Sequence, residues 1–354
     1  MKKYILLNLI LFFSYTYSQN ITLLDSITKK PIQSVVIENS KGIIIAISDE
    51  KGQVKKEGLE NINYTSHISY QSKKINKYDN IKDIFLSVKK YELPEVVVQA
   101  NNKNYDFIVL KSYFRTYQYA DSIPIFYTEG FVDFYIPKKG NNLKYELKSV
   151  KVYENQGNKK IATLKKGSLF MKDNGVINFL LTDVFPYKED YKIIKKSEND
   201  YQISYKEQEG AGTIQRIDKV YKTYLNKLFP NEIFKGSFMG RTNVIRANNI
   251  YQEFPADIDL DNLDLTDFSL YRCFRNIETT HKKETLNLVN IFEIFPIEKS
   301  AVSKAEMRNI KLESFFGNIE KSINTSYFKE QSYNVPSQTE TFKNLLETDL
   351  KLIE

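Results

Sequence analysis

The chain has 354 residues, enough for a buried core and, at roughly 100–200 residues per domain, for two domains. Its formal net charge of +7 comes from lysines dispersed as pairs such as Lys55-Lys56, Lys138-Lys139 and Lys195-Lys196, with acids between them. That pattern excludes the clustered basic face that nucleic-acid binding needs. Cys273 is the single cysteine and His67 and His281 the only histidines, so an internal disulfide is excluded, as is a zinc centre with the usual two or three His or Cys ligands.

Lys2 and Lys3 precede an apolar run from Ile5 to Phe13, broken by Asn8, and Thr16 and Ser18 stand at −3 and −1 from a cut before Gln19. This is the pattern of a cleaved export signal over residues 1–18. No cysteine follows the run, so the lipid-attached variant is not expected. Nothing later reaches the ~20 apolar residues of a spanning helix. The expectation is an exported protein, periplasmic or associated with the outer membrane, with no transmembrane helix after signal cleavage.

Residues 19–100 alternate short β-rich runs with turn signals. Strands are expected at Ile21–Leu24, Val35–Glu38, Ile43–Ile47, Thr65–Tyr70 and Ile84–Val88. Between them lie the polar turn from Asp25 to Pro31 and the reversal Ser48-Asp49-Glu50-Lys51-Gly52, where Asp caps amides and Gly takes positive φ. The order Asp25, Thr28, Pro31-Ile32, Val35, Ser48 to Gly52, His67-Ile68-Ser69-Tyr70 and Leu86 resembles the carboxypeptidase-like regulatory domain family. Leu93-Pro94-Glu95-Val96-Val97-Val98 is similar to the segment that links this module to its successor. The resemblance implies a seven-stranded, transthyretin-like β-sandwich found at the front of Gram-negative envelope proteins, and it implies no catalytic residue. The glycine usual before the first strand is missing, with Asn20 nearby instead; Val54, where an aromatic is common, and Ser69, where glycine is usual, also depart from the family pattern.

Ala100 to Asn104 is a polar break, so a second domain is expected over 101–354. Phe107, Leu110, Phe114 and Tyr117 recur at helical spacing and predict an amphipathic helix from Tyr105 to Tyr119. Ile125–Ile136 and Leu143–Tyr153 read as long strands joined by a turn around Gly140, and Leu143, Tyr145 and Leu147 alternate with charged residues. A hairpin is expected over Tyr191–Tyr205, turning at Ser197 to Asp200. Further strands are expected at Thr213–Asp218, Thr223–Leu228, Asn243–Phe254, Thr285–Ile297 and Asn309–Phe316. A capping box of Ser337 and Glu340 opens a C-terminal helix whose stripe is Phe342, Leu345, Leu346, Leu350 and Ile353. The fold class is therefore mainly β: an N-terminal seven-stranded sandwich followed by a larger antiparallel β-rich domain with a few helices. In outline the last third resembles the half-open barrel of periplasmic lipoprotein carriers.

Chemistry-bearing motifs are sparse. Gly236-Ser237-Phe238-Met239-Gly240 has the wrong glycine spacing for a nucleophile elbow and reads as a hairpin turn. Glu209-Gly210-Ala211-Gly212 lacks the third glycine of a nucleotide loop and reads as a turn. Cys273 has only His281 as a conceivable partner, and both histidines read as structural or surface residues. Asp257, Asp259 and Asp261 match the first alternate positions of a calcium loop, but Asn262 and Phe268 break it, which leaves a weak cation candidate. Glu129 and Asp133 share a strand face and are the acid pair considered for glycoside hydrolysis. Among the 25 Tyr and 23 Phe, the residues Phe126, Phe131, Phe134 and Tyr145 are the candidates for an apolar ligand cleft. The expectation is a non-enzymatic envelope protein without cofactor or metal, with a binding or assembly role toward an envelope protein, lipid or glycan. The alternatives are a carrier of an apolar ligand, lipid or lipoprotein, and a hydrolase with an unrecognised site.

Overall fold

The computed structural model describes residues 20–49, 51–55, 59, 61–76, 81–89, 98–99, 105–140, 142–157, 184–185, 190–231, 233–238, 240–264, 266–281, 284–310, 312, 319, 322–326 and 335–354. The expected signal over 1–18, most of the Leu93–Val98 tail and the break at 100–104 lie outside the described residues. The chain is mainly β and divides into two compact units. One comprises Met1–Lys90 with Gln338–Phe342, the other Tyr91–Ser337 with Lys343–Glu354.

The front unit holds seven described strands: β1 (Asn20–Asp25), β2 (Val36–Asn39), β3 (Ile44–Ile47), β4 (Gln53–Lys55), β5 (Ile62–His67), β6 (Tyr70–Lys74) and β7 (Asp83–Leu86). They form a three-stranded sheet in the order β4-β1-β7 and a four-stranded sheet in the order β3-β2-β5-β6. Between them pack Leu23, Ile32, Val35, Ile37, Val54, Ile84 and Leu86. The turn residues act through side-chain acceptors. Asp25 Oδ1 accepts the amides of Ile27 and Thr28, each at 2.8 Å, and its Oδ2 accepts from the Tyr70 hydroxyl at 2.9 Å. Asp49 Oδ1 accepts the amides of Lys51 and Gln53. The expected strand Thr65–Tyr70 is in fact broken: His67 pairs with Tyr70 across a reversal at Ile68-Ser69. His67 Nδ1 accepts the Ser69 amide at 3.2 Å, which favours the tight turn over extension.

The second unit adds β8 (Val98–Gln99), β9 (Phe107–Ala120), β10 (Ile123–Pro137), β11 (Lys144–Asn155), β12 (Tyr191–Lys195), β13 (Asp200–Tyr205), β14 (Gln208–Ile217) and β15 (Val220–Asn226). It continues with β16 (Phe234–Phe238), β17 (Arg241–Pro255), β18 (Leu270–His281), β19 (Glu284–Val302) and β20 (Leu350–Ile353); of helix α1 (Glu340–Thr348), residues up to Phe342 count with the first unit and those from Lys343 with the second. The described strands of this unit make one 13-stranded sheet with the path β12-β13-β14-β15-β17-β18-β19-β9-β10-β11-β20, β16 pairing with β17 and β8 with β19. Most neighbours are sequential hairpins. The long-range join is β19 against β9, antiparallel from Leu288↔Ala120 to Val302↔Phe107, and it places these two strands at the centre of the row. One face carries a continuous apolar cluster that includes Leu110, Phe114, Phe134, Tyr145, Ile214, Phe254, Tyr271, Phe292 and Ile294.

Several expectations are corrected here. The segment expected as a helix from Tyr105 to Tyr119 is β9, in which Ser112 to Ala120 are all buried. A strand covered on both faces loses its visible alternation, and its apolar residues then fall at helical spacing by coincidence. Glu209 to Gly212 lies within β14 rather than at a turn; the reversal sits at Lys206 and Glu207, both at positive φ. Near the expected strand Asn309–Phe316, Glu306–Asn309 form a short 3-10 turn, and 313–318 lie outside the described residues. The C-terminal helix ends at Thr348, and Leu350 and Ile353 belong to β20, paired with β11. Its cap is Thr339, whose Oγ1 accepts the Phe342 amide at 3.1 Å, rather than Ser337.

Gly130 and Gly212 stand where neighbouring strands come close. A Cβ at Gly130 would lie 2.2 Å from the Ser149 carbonyl oxygen and 3.0 Å from the Phe114 ring; at Gly212 it would lie 2.1 Å from the Tyr224 carbonyl oxygen. Backbone cannot yield as a flexible side chain does. Gly130→Ala is therefore expected to lower the unfolding free energy of the large unit by about 3 kcal/mol. Urea denaturation followed by far-UV circular dichroism measures this, and an unchanged midpoint contradicts the packing.

Candidate functional site

Period-two alternation gives the large sheet a second face, opposite the apolar cluster, and its register aligns side chains of alternating charge. Taken strand by strand, the cross-strand partners run Tyr224 (β15), Tyr251 (β17), Arg272 (β18), Glu293 (β19), Arg115 (β9), Glu129 (β10) and Lys151 (β11). Adjacent strands lie about 4.8 Å apart, so each charge has its opposite as nearest neighbour. A parallel row of mostly aromatic and amide residues lies to one side: Asn226, Asn249, Phe274, Ile291, Tyr117, Tyr127 and Tyr153. Phe295, Tyr113, Phe131 and Ser149 flank the other side, and Lys222 faces Glu253 there on β15 and β17.

The centre of the row is out of water. Arg272 is 5 % exposed, Glu293 6 % and Arg115 7 %, whereas Glu129 and Lys151 toward β11 are half-buried. The carboxylates are served mainly by phenols. Glu129 Oε2 accepts from Tyr113 at 2.6 Å and Tyr127 at 2.7 Å, Glu293 Oε2 accepts from Tyr117 at 3.4 Å, and Tyr251 donates to Glu253. Arg272 Nε lies 3.6 Å from Glu293 Oε1, an ion pair beyond hydrogen-bond length. The Arg115 guanidinium sits 5.3 Å from the Tyr113 ring centre and 5.4 Å from that of Phe295, within cation–π range.

At the centre of the row, guanidinium donors are left over. Nε of Arg115 and both Nε and Nη1 of Arg272 are buried without a hydrogen-bond partner among the described residues. Such groups are uncommon in native interiors, because each lost hydrogen bond costs roughly 1–3 kcal/mol. Burial works against the Arg115 charge, but Tyr117, Tyr127, Tyr113 and Glu293 around it more than offset that and keep it protonated. Burial, followed by the Glu129 charge, pushes the Tyr113 and Tyr127 phenols well above the usual range, and the same two causes push Tyr153 up to about 12.

A second charged group lies farther along the same face. Lys148 Nζ is 2.6 Å from Glu146 Oε2 and 3.5 Å from Asp133 Oδ2, and Lys111 pairs with Glu298 at 2.9 Å. Burial raises the Asp133 carboxyl above the ordinary value despite Lys148.

The residues singled out from sequence are dispersed. Phe134 and Tyr145 are cross-strand partners inside the apolar cluster; Phe126 packs in a separate cluster with Ala120, Ile125, Ile277, Leu286 and Leu288. Phe131 lies on the opposite, polar face, 5.2 Å from Tyr113. Asp257, Asp259 and Asp261 are exposed, and Asp259 is occupied as a turn cap, accepting from the Asp261 amide at 3.1 Å and the Asn262 side chain at 2.7 Å. No group of three His, Cys, Asp or Glu able to hold a metal occurs among the described residues. Cys273 is buried in the apolar cluster, and eight residues of one strand separate it from His281, roughly 26 Å of backbone. Glu129 and Asp133 share a face, but four residues of strand put them roughly 13 Å apart, with Phe131 between them.

Arg115, Arg272, Glu293 and Glu253 were not singled out from sequence. Their signal is a single charge within a short, largely apolar or aromatic stretch: Phe114-Arg115-Thr116-Tyr117, Tyr271-Arg272-Cys273-Phe274, Phe292-Glu293-Ile294-Phe295 and Tyr251-Gln252-Glu253-Phe254. A charge there can be buried only opposite a partner.

No family model matches the chain, and no curated protein matches it.

The phenols make the site sensitive to alkali. Folding favours their neutral form, so their contribution to stability is intact below the unfolded value near pH 10 and is lost as pH rises above it. Unfolding is expected to set in above about pH 10, and Tyr127→Phe should move the alkaline midpoint upward although it gives up a hydrogen bond at neutral pH. Circular dichroism between pH 7 and 12.5 measures both; a downward shift in the variant contradicts the assignment.

Proposed function

We propose that the protein is an exported, non-catalytic component of a Gram-negative cell envelope that binds a polar ligand or partner on the charged face of its large sheet. Its front unit is a carboxypeptidase-like regulatory module, a structural companion without chemistry of its own. The observation that carries this reading is the buried Arg272–Glu293–Arg115 row with guanidinium donors left unmatched. A sheet built only for stability would do as well or better with apolar residues there, since a buried ion pair often stabilises less than an isosteric apolar contact. Support for export comes from Lys2, Lys3 and the apolar run from Ile5 to Phe13.

The same geometry favours a polar ligand over an apolar one, because the apolar face is filled by the protein's own side chains. It also argues against sugar cleavage by Glu129 and Asp133. The carboxyl pairs of such enzymes stand about 5–9.5 Å apart, and Asp133 is engaged with Lys148. The partners that fit are a glycan, a lipid headgroup or another envelope protein, and not nucleic acid.

The test is to express the full chain in a Gram-negative host, fractionate the cells and record native mass spectra of the protein from its own compartment. The expected result is a chain beginning at Gln19 in the envelope fraction that carries a retained small molecule or partner. An unprocessed chain in the cytoplasm, or turnover of a glycan abolished by Glu129→Gln, overturns the proposal.

A further inference from the structure

The identity of that ligand can be narrowed from charge. Along the row itself the charged side chains at least nine-tenths buried are Arg272 and Arg115 against Glu293, two cations to one anion; Lys222 faces Glu253 beside the row, and Asp133, also buried, sits farther along the face with Lys148. Next along the row, half-buried Glu129 and Lys151 offset each other. A net charge held out of water is costly unless a counter-charge accompanies it. The unmatched atoms are of one kind near that excess: Nε of Arg115, and Nε and Nη1 of Arg272. A guanidinium has donors only and presents them as a planar fork that fits a carboxylate or phosphate two bonds at a time. Arg272 and Arg115 flank Glu293, so their backbones stand about 9.6 Å apart, two strand spacings. Side chains of that length can converge on one small group.

We propose that Arg115 and Arg272 form a binding site for a small oxyanion, a carboxylate or phosphate, on the charged face of the large sheet. The proposal rests on the polar-ligand reading above and names its chemistry. The two arginines supply the charge and the bidentate donors, Glu293 sets their spacing and limits affinity by its own charge, and Tyr113 and Tyr117 wall the site. Because the centre of the row is buried, the anion is a free molecule and not a headgroup fixed in a bilayer.

The experiment is isothermal titration of the full chain with sodium phosphate and with sodium acetate, against sodium chloride at matched ionic strength. Saturable binding of phosphate or acetate is expected, with no saturation by chloride. Arg272→Lys keeps the charge but loses the fork and should weaken binding roughly tenfold or more. Glu293→Gln removes the competing carboxylate and should strengthen it by about tenfold, and phosphate should raise its melting temperature more than that of the wild type. This opposite pair of effects is not expected of a purely structural ion pair. Should Arg272→Lys fail to fold by circular dichroism, the wild-type titration and Glu293→Gln decide the matter. Absence of saturable binding by the wild type, equal affinity in Arg272→Lys, or binding to phosphatidylglycerol vesicles without binding of free phosphate or acetate overturns the proposal. A neutral glycan retained in native mass spectra alongside a failed titration would remove the oxyanion and leave the polar-ligand reading standing.

Discussion

Glu293 is the pivot of the large sheet. It stands on β19 with Arg272 opposite on β18 and Arg115 opposite on β9, and the three are almost wholly out of water. An unpaired charge at any of these positions costs several kcal/mol, so each partner enforces the presence and register of the next. A slip of one residue in β19 would turn Glu293 into the apolar cluster and bring Phe292 or Ile294 to face the arginines. The charge alternation therefore specifies the pairing of β19 with β9, the join between segments distant in sequence on which the rest of the sheet order depends.

The irregularities of the sheet fall outside the centre of this row. Pairing shifts between Ile245 and Ala247, Pro296 and Glu298, Phe131 and Val132, Pro124 and Phe126, and Ile203 and Ser204, while the stretch through Tyr251, Arg272, Glu293 and Arg115 is unbroken. Bulges bend a strand and re-aim its side chains, so their placement lets the long strands curve without disturbing the charged centre. The bulge after Phe131 also separates the Arg115 row from the Lys148 group, which has its own pairing.

The front unit was the more legible from sequence, because its information is local. Asp49, Gly52 and the Oδ1 of Asp25 act within a few residues of their position, and the strands fall close to where the turn residues put them. The exception is Ile68-Ser69, where His67 closes a reversal that no turn residue announces. In the large unit the half-exposed strands were equally readable: Leu143, Tyr145 and Leu147 alternate with charges because one side meets water. β9 was not readable, because both its sides are covered and Phe107, Leu110, Phe114 and Tyr117 mimic a helical stripe. The polar row was hidden for a related reason. Its buried charges have no oppositely charged neighbour beside them in sequence, and their meaning lies in partners far away in sequence, such as Glu293 for Arg115, that only the register reveals.

What the row lacks is as informative as what it contains. Its carboxylates are satisfied mostly by neutral donors: Glu129 takes two phenols, and Glu293 and Glu253 one each. Burial and the neighbouring Glu129 charge keep Tyr113 and Tyr127 protonated and so available as donors. Tyrosine in place of phenylalanine thus meets the hydrogen-bonding needs of the acids, and the guanidiniums are left short of acceptors. Additional water could fill single positions, since it donates as well as accepts, but it brings no negative charge. A group that only accepts, carries one negative charge and matches a planar fork corrects both shortages at once. This asymmetry between satisfied acids and unsatisfied cations separates the row from an ordinary structural ion-pair network, in which both signs find their partners together.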